Sequence, residues 1–136
     1  MSHHRKRVLC AEPHEDTCSL LTTLLEQQGH EVVAAKSVRE CLDLVGERQF
    51  DLYMLDDDYT DGSGLELCKR LRAATPATPI LVFSAQAFLR DRQRALEAGA
   101  HSYFIKPGDI FEIVQTVNSI LAPRHARGRQ REAERP

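Results

Sequence analysis

Five short apolar runs recur along this chain, separated by segments whose apolar residues repeat at helical spacing. The runs are RVLCA (7–11), EVVAA (31–35), LYML (52–55), ILVF (80–83) and SYFI (102–105). None alternates apolar with polar positions, so each is expected to be a strand buried on both faces, as parallel strands are when helices cover the sheet from two sides. Between them, Leu20, Leu21, Leu24 and Leu25 lie on one face of a first helix that stops at Gly29. Val38, Cys41, Leu42 and Val45 mark a second helix, and Leu65, Leu67, Cys68 and Leu71 a third. Leu89, Ala95, Leu96 and Ala98 mark a fourth, ended by Gly99. Ile110, Ile113, Val114, Val117, Ile120 and Leu121 mark a fifth, with Asp109 at the N-cap position and Pro123 just past its end. The strict order strand, helix, strand, helix predicts an α/β fold, a (βα)5 doubly wound parallel sheet.

With 136 residues there is room for one such domain and not for a second. It is expected over residues 7–122, between a basic N-terminal extension (1–6) and an arginine-rich tail (123–136) too poor in large apolar residues to join a core. Of the 18 basic and 20 acidic residues, the segments 1–7 and 123–136 hold eight and two, leaving ten basic against 18 acidic in the middle. A net charge of -8 on the folded part argues against direct nucleic-acid binding, which needs a basic face. No apolar run reaches membrane-spanning length, and VLCA is too short for a signal peptide, so a cytoplasmic location without membrane contact is expected. Cys10, Cys18, Cys41 and Cys68 form no close pair and sit inside apolar patterns, which reads as buried thiols rather than a metal or disulfide set. His30 and His101, alone at strand starts, are read as structural.

In doubly wound sheets, chemistry gathers beyond the carboxyl ends of the strands. Those ends lead here to Glu12, to Asp56, Asp57 and Asp58, to Ser84, and to Lys106-Pro107. Three adjacent aspartates raise one another's pKa unless a cation lies nearby, and Lys106 is one compensating charge. Carboxylates, a hydroxyl and a lysine at one sheet edge suit phosphoryl chemistry: a carboxylate attacks phosphorus, a divalent cation bridges it to the phosphoryl oxygens, and lysine and hydroxyl hold the rest. Asp56 is the natural nucleophile because it directly follows a strand, whereas Asp57 or Asp58 taken alone also fits a turn rich in Asp, Gly and Ser.

Three segments carry a resemblance to a known family: DLYMLDDDYTDGSG (51–64), PILVFSA (79–85) and ALEAGAHSYFIKP (95–107). In this order and spacing they resemble the receiver domains of two-component response regulators, over roughly residues 6–121. The resemblance implies a flavodoxin-like sheet of order 2-1-3-4-5. It implies that Asp56 accepts a phosphoryl group from a histidine kinase or phosphotransfer protein with Mg²⁺, that Lys106 pairs with that group, that Ser84 swings to bind it, and that Tyr103 rotates inward. The fourth helix, fifth strand and fifth helix would then present the surface for a downstream protein target, or for a homodimer to which Arg90, Arg92 and Arg94 would contribute if not simply solvated.

Four positions depart from the family. Tyr59-Thr60 replace the usual Met-Pro, which is expected to alter loop stiffness more than chemistry, and Gly108 replaces the common Phe after Lys-Pro. Pro13 stands where the family has its second acidic residue, and proline offers neither a carboxylate nor an N–H. The expectation is a weakened Mg²⁺ site built from Glu12, Asp56 and Asp58, with Glu15 as a further candidate. Two rivals follow. One is a receiver-like protein-binding module that works without phosphorylation, which Pro13 favours. The other is a phosphatase, since Asp56, Asp58 and Thr60 fit the DxDxT that resembles the first motif of haloacid-dehalogenase-type enzymes; the late position of the motif argues against it. The chain is thus expected to be a phosphoacceptor rather than an enzyme, either stand-alone or part of a longer regulator.

Overall fold

A computed structural model of the chain describes residues 5–123. Most of the expected basic extension (1–6) and arginine-rich tail (123–136) therefore lies outside the described residues. In chain order the elements are β1 (Arg7–Ala11), α1 (Glu15–Gln27), β2 (Glu31–Ala35), α2 (Val38–Glu47), β3 (Leu52–Leu55), β4 (Asp58–Tyr59), β5 (Gly62–Ser63), α3 (Gly64–Ala74), β6 (Ile80–Ser84), α4 (Leu89–Glu97), β7 (Ser102–Ile105) and α5 (Ile110–Leu121). Five strands form one sheet in the order β2-β1-β3-β6-β7, every pairing parallel. This is the expected order 2-1-3-4-5 once β4 and β5 are set apart. Those two make a small antiparallel hairpin in the segment read from sequence as a turn.

Successive strand residues point to opposite faces, so the sheet divides the core in two. One face joins Leu9, Tyr53, Leu55 and Ile80 to Cys41 of α2 and Leu67 and Leu71 of α3. The other joins Val8, Leu52, Met54, Leu81 and Phe83 to Leu21 and Leu25 of α1 and Ile113 and Val117 of α5. All four cysteines are free and buried. His30 is buried too, its Nε2 2.8 Å from Asn118 Oδ1 on α5.

Burial on both faces holds for the inner strands β1, β3 and β6 but not for the edges: β2 and β7 are mostly half-buried, because each has one neighbour and less helix above it. Helical apolar faces are also narrower than their spacing suggests. Leu20 is 49% exposed and Leu89 69%, which leaves Ala95 as the buried residue of α4.

Helix starts follow the capping chemistry. Ser37 and Ser63 cap α2 and α3, each hydroxyl accepting the N–H three residues on, from Glu40 and Glu66. Asp109 occupies the N-cap position of α5 but does not cap it; its Oδ2 instead accepts the Ile105 N–H at 2.8 Å, bracing the segment that carries Lys106. Gly29, just past α1, has φ +91°, a backbone state that favours glycine and lets the chain turn into β2. Among the described residues, no helix is long and apolar enough to cross a membrane.

Candidate functional site

Strand register builds the site. Ala11 pairs with Leu55 across β1 and β3, so the next residues, Glu12 and Asp56, leave the sheet side by side. Ser84 pairs with Ile105 across β6 and β7, and the Lys106 N–H continues that ladder to the Ser84 carbonyl at 2.8 Å. The Lys106 ammonium reaches back over the Phe83 ring to Glu12 Oε1 at 2.8 Å and Asp56 Oδ1 at 3.2 Å. Glu12 and Asp56 are each 2% exposed, and Asp56 borders an open cleft of about 480 Å³ lined also by His14, Asp58, Gln86 and Lys106.

Sequence reasoning passed over two residues that the fold brings here. His14 follows Pro13 and turns its ring back over the carboxylates: Nδ1 lies 3.0 Å from Glu12 Oε2 and 3.6 Å from Asp56 Oδ2, while its backbone N–H donates to the same Glu12 oxygen at 2.9 Å. The stretch CAEPHED held the clue, an imidazole one residue past the proline at the end of the first strand. Tyr59 is the second. Expected to alter loop stiffness more than chemistry, it is 6% exposed, and its hydroxyl accepts the Asp56 N–H at 2.8 Å and donates to the Ala11 carbonyl. The hairpin β4–β5 directs this ring beneath the site, and Gly64 closes the hairpin so tightly that a Cβ there would run into the Asp56 carbonyl oxygen.

Burial pushes the Asp56 carboxyl up to about 6; Asp57 and Glu12 add to the rise, and Lys106 works against it. Burial disfavours the Lys106 charge in turn, but its bonds to Glu12 and the charge of Asp56 outweigh that, so the ammonium stays above its ordinary value. Lys106 pairs with the buried Asp56 Oδ1 at 3.2 Å, and no other group reaches that oxygen. Glu12, His14 and Asp56 each offer one ligand atom within 4.8 Å of the others, a donor set that fits a divalent cation. Asp58 lines the cleft from the hairpin and Glu15 is exposed in the first turn of α1; neither belongs to that convergent set.

Ser84 and Tyr103 meet through Gln86. The Gln86 N–H donates to Ser84 Oγ at 2.9 Å, and the Tyr103 hydroxyl donates to the Gln86 carbonyl at 2.7 Å. Ser84 is fully buried, while the half-buried Tyr103 ring borders a groove of about 170 Å³ with Val82, Asp91 and Ala95 between α4 and the sheet. The hydroxyl and the ring thus grip one loop that runs from β6 along the cleft.

Residues 8–118 match a family model described as the response regulator receiver domain. Among curated proteins, the chain is 33% identical over 125 residues to the transcriptional regulatory protein ZraR of Escherichia coli O157:H7, covering 92% of this chain and 28% of that protein. It therefore spans less than a third of that relative's length. Among solved structures it is similar to a two-component response regulator from Clostridium difficile, with a TM-score of 0.82, 27% identity, and coverage of 86% of this chain and 96% of that one. A non-phosphorylated HemR receiver domain from Leptospira biflexa gives a TM-score of 0.80, 29% identity, and coverage of 88% and 96%.

Proposed function

This chain belongs to the response regulator receiver domain family, and on that premise we propose that Asp56 accepts a phosphoryl group from a histidine kinase or phosphotransfer protein and thereby switches a protein-binding surface. The observation that carries the reading is Asp56 itself: a buried carboxylate with one oxygen paired to Lys106 alone, at the edge of an open cleft.

An Asp56 carboxylate oxygen attacks phosphorus, the bond from phosphorus to the donor imidazole nitrogen breaks, and an acyl phosphate remains on Asp56. The Tyr59 hydroxyl fixes the Asp56 backbone so that the attacking oxygen keeps its place. Lys106, already between Glu12 and Asp56, meets the incoming negative charge. A divalent cation, held by Glu12 and Asp56, would supply charge neutralisation for the phosphoryl oxygens. The new group competes for Ser84 Oγ, which draws on the Gln86 N–H, and the Gln86 carbonyl in turn holds Tyr103. A change at Asp56 thus reaches β7 through one shared residue, and the face of α4, β7 and α5 is the surface we assign to the downstream target.

The test is intact mass of the folded chain after incubation with a small-molecule phosphodonor, with and without divalent metal, on wild type and Asp56→Asn. The expected result is a single phosphate adduct that requires metal and vanishes in the variant. No adduct at saturating donor and metal would overturn the reading in favour of phosphorylation-independent binding.

A further inference from the structure

We propose that Glu12, His14 and Asp56 form a mixed imidazole and carboxylate site for a first-row transition-metal dication, with His14 supplying the ligand that Pro13 cannot. The inference rests on the phosphoacceptor reading of the same pocket and concerns which metal that pocket selects.

The two carboxylates divide their oxygens between an ammonium and an imidazole. Lys106 faces Glu12 Oε1 at 2.8 Å and Asp56 Oδ1 at 3.2 Å. The other oxygens, Glu12 Oε2 and Asp56 Oδ2, face His14 Nδ1 at 3.0 and 3.6 Å. Metal–ligand bonds of about 2.0–2.2 Å separate neighbouring donors by about 2.8–3.6 Å in octahedral or tetrahedral arrangements, so His14 Nδ1 already stands at ligand spacing from both oxygens, and the ligand atoms of the three residues all lie within 4.8 Å of one another. Glu12 Oε2 is oriented by the His14 N–H, as ligating carboxylates commonly are by a neighbouring donor. The His14 side chain is 67% exposed, so its proton can sit on Nε2 against water, which turns the Nδ1 lone pair toward the carboxylates and the Lys106 ammonium 3.5 Å away, the contact that a metal ion would replace.

The donor chemistry then sets the preference. Three oxygens suit Mg²⁺, which demands hard ligands and gives up water reluctantly. Replacing one oxygen with imidazole nitrogen favours Mn²⁺, Co²⁺ or Zn²⁺, with affinity rising along the first transition row. Because any site follows that order to some degree, the distinguishing quantity is how far the preference depends on His14.

The experiment titrates Co²⁺ and Mg²⁺ separately into the whole chain, wild type, His14→Asp and His14→Ala, following the Asp56 amide resonance in all three and the His14 ring in wild type, with Asp56→Asn as the control for Co²⁺ bound elsewhere on the chain. Circular dichroism confirms that each variant is folded, which an exposed position favours. In wild type, Co²⁺ is expected to shift both resonances. The ratio of Co²⁺ to Mg²⁺ affinity is expected to fall by about tenfold or more in His14→Asp, which restores an all-oxygen set, and Co²⁺ binding at Asp56 is expected to be lost in His14→Ala. A ratio unchanged by His14→Asp, or a His14 ring that Co²⁺ leaves unmoved, would overturn the proposal and leave His14 as a polar partner of the two carboxylates and not a metal ligand. An Mg²⁺-dependent adduct on Asp56 with an unchanged ratio overturns this inference and leaves the phosphoacceptor reading standing. A His14-dependent ratio with no adduct under either metal supports the site and overturns that reading.

Discussion

Tyr59 joins two strand ends with one hydroxyl, taking the Asp56 N–H and giving to the Ala11 carbonyl, in surroundings that exclude water. Tyr59→Phe keeps the ring and its packing but leaves both backbone groups buried without a partner, which costs about 1–3 kcal/mol. Urea unfolding is expected to show that loss. A time course of Asp56 phosphorylation should slow with it, because the attacking carboxylate sits on the peptide whose N–H is released. Equal phosphorylation rates in wild type and variant would remove the positioning role, whatever the stability result. The same residue shows why a motif comparison missed it: Tyr59 replaces a loop residue in sequence, and only the hairpin turns its ring inward.

The short hairpin is tied to its neighbours at the scale of elements. Asp61, in its turn, accepts the N–H groups of Val38 at 2.8 Å and Arg39 at 3.0 Å, so it satisfies the first turn of α2 from outside the helix. Those backbone bonds, that of Arg39 first, hold the Asp61 carboxyl below its ordinary value. A depressed folded pKa means that the unfolded chain binds the proton more readily. The stabilisation from Asp61 is therefore complete above the ordinary carboxylate range and lost as pH falls through the folded value. Asp61→Asn is expected to melt below wild type at about pH 7, with the gap narrowing as pH falls below the ordinary carboxylate value of about 3.9 and the wild-type carboxyl takes up its proton. A gap that stays constant across that range would show that the carboxylate charge contributes nothing to the contact.

Across the whole molecule the sheet separates two apolar clusters, one under α2, α3 and α4 and one under α1 and α5. The same strands feed both: within β1, Leu9 enters one cluster and Val8 and Cys10 the other. A strand cannot leave one face without leaving both, so the domain is expected to unfold in one step. Leu71→Ala on one side and Leu21→Ala on the other each delete a fully buried side chain and should each cost about 2–5 kcal/mol. Both variants are expected to give coincident transitions by near- and far-ultraviolet circular dichroism. Two separate transitions in either variant would mean that the faces are independent units.

Sequence alone determined the five strands of the main sheet, the five helices and the strand ends where chemistry would gather, since apolar runs and helical spacing are local patterns that burial enforces residue by residue. Asp56, Lys106 and Ser84 were legible for the same reason: each directly follows or ends a strand, so its place is set by a short backbone. The tertiary structure decided what depends on which elements lie side by side. It made edge strands of β2 and β7, left Leu20 and Leu89 in water, turned Asp109 away from its helix toward Ile105, and shared Gln86 between Ser84 and Tyr103. Above all it placed His14 against Glu12 and Asp56, a contact that spans 42 positions of chain between His14 and Asp56 and exists only because β1 and β3 pair in a register that aligns their ends.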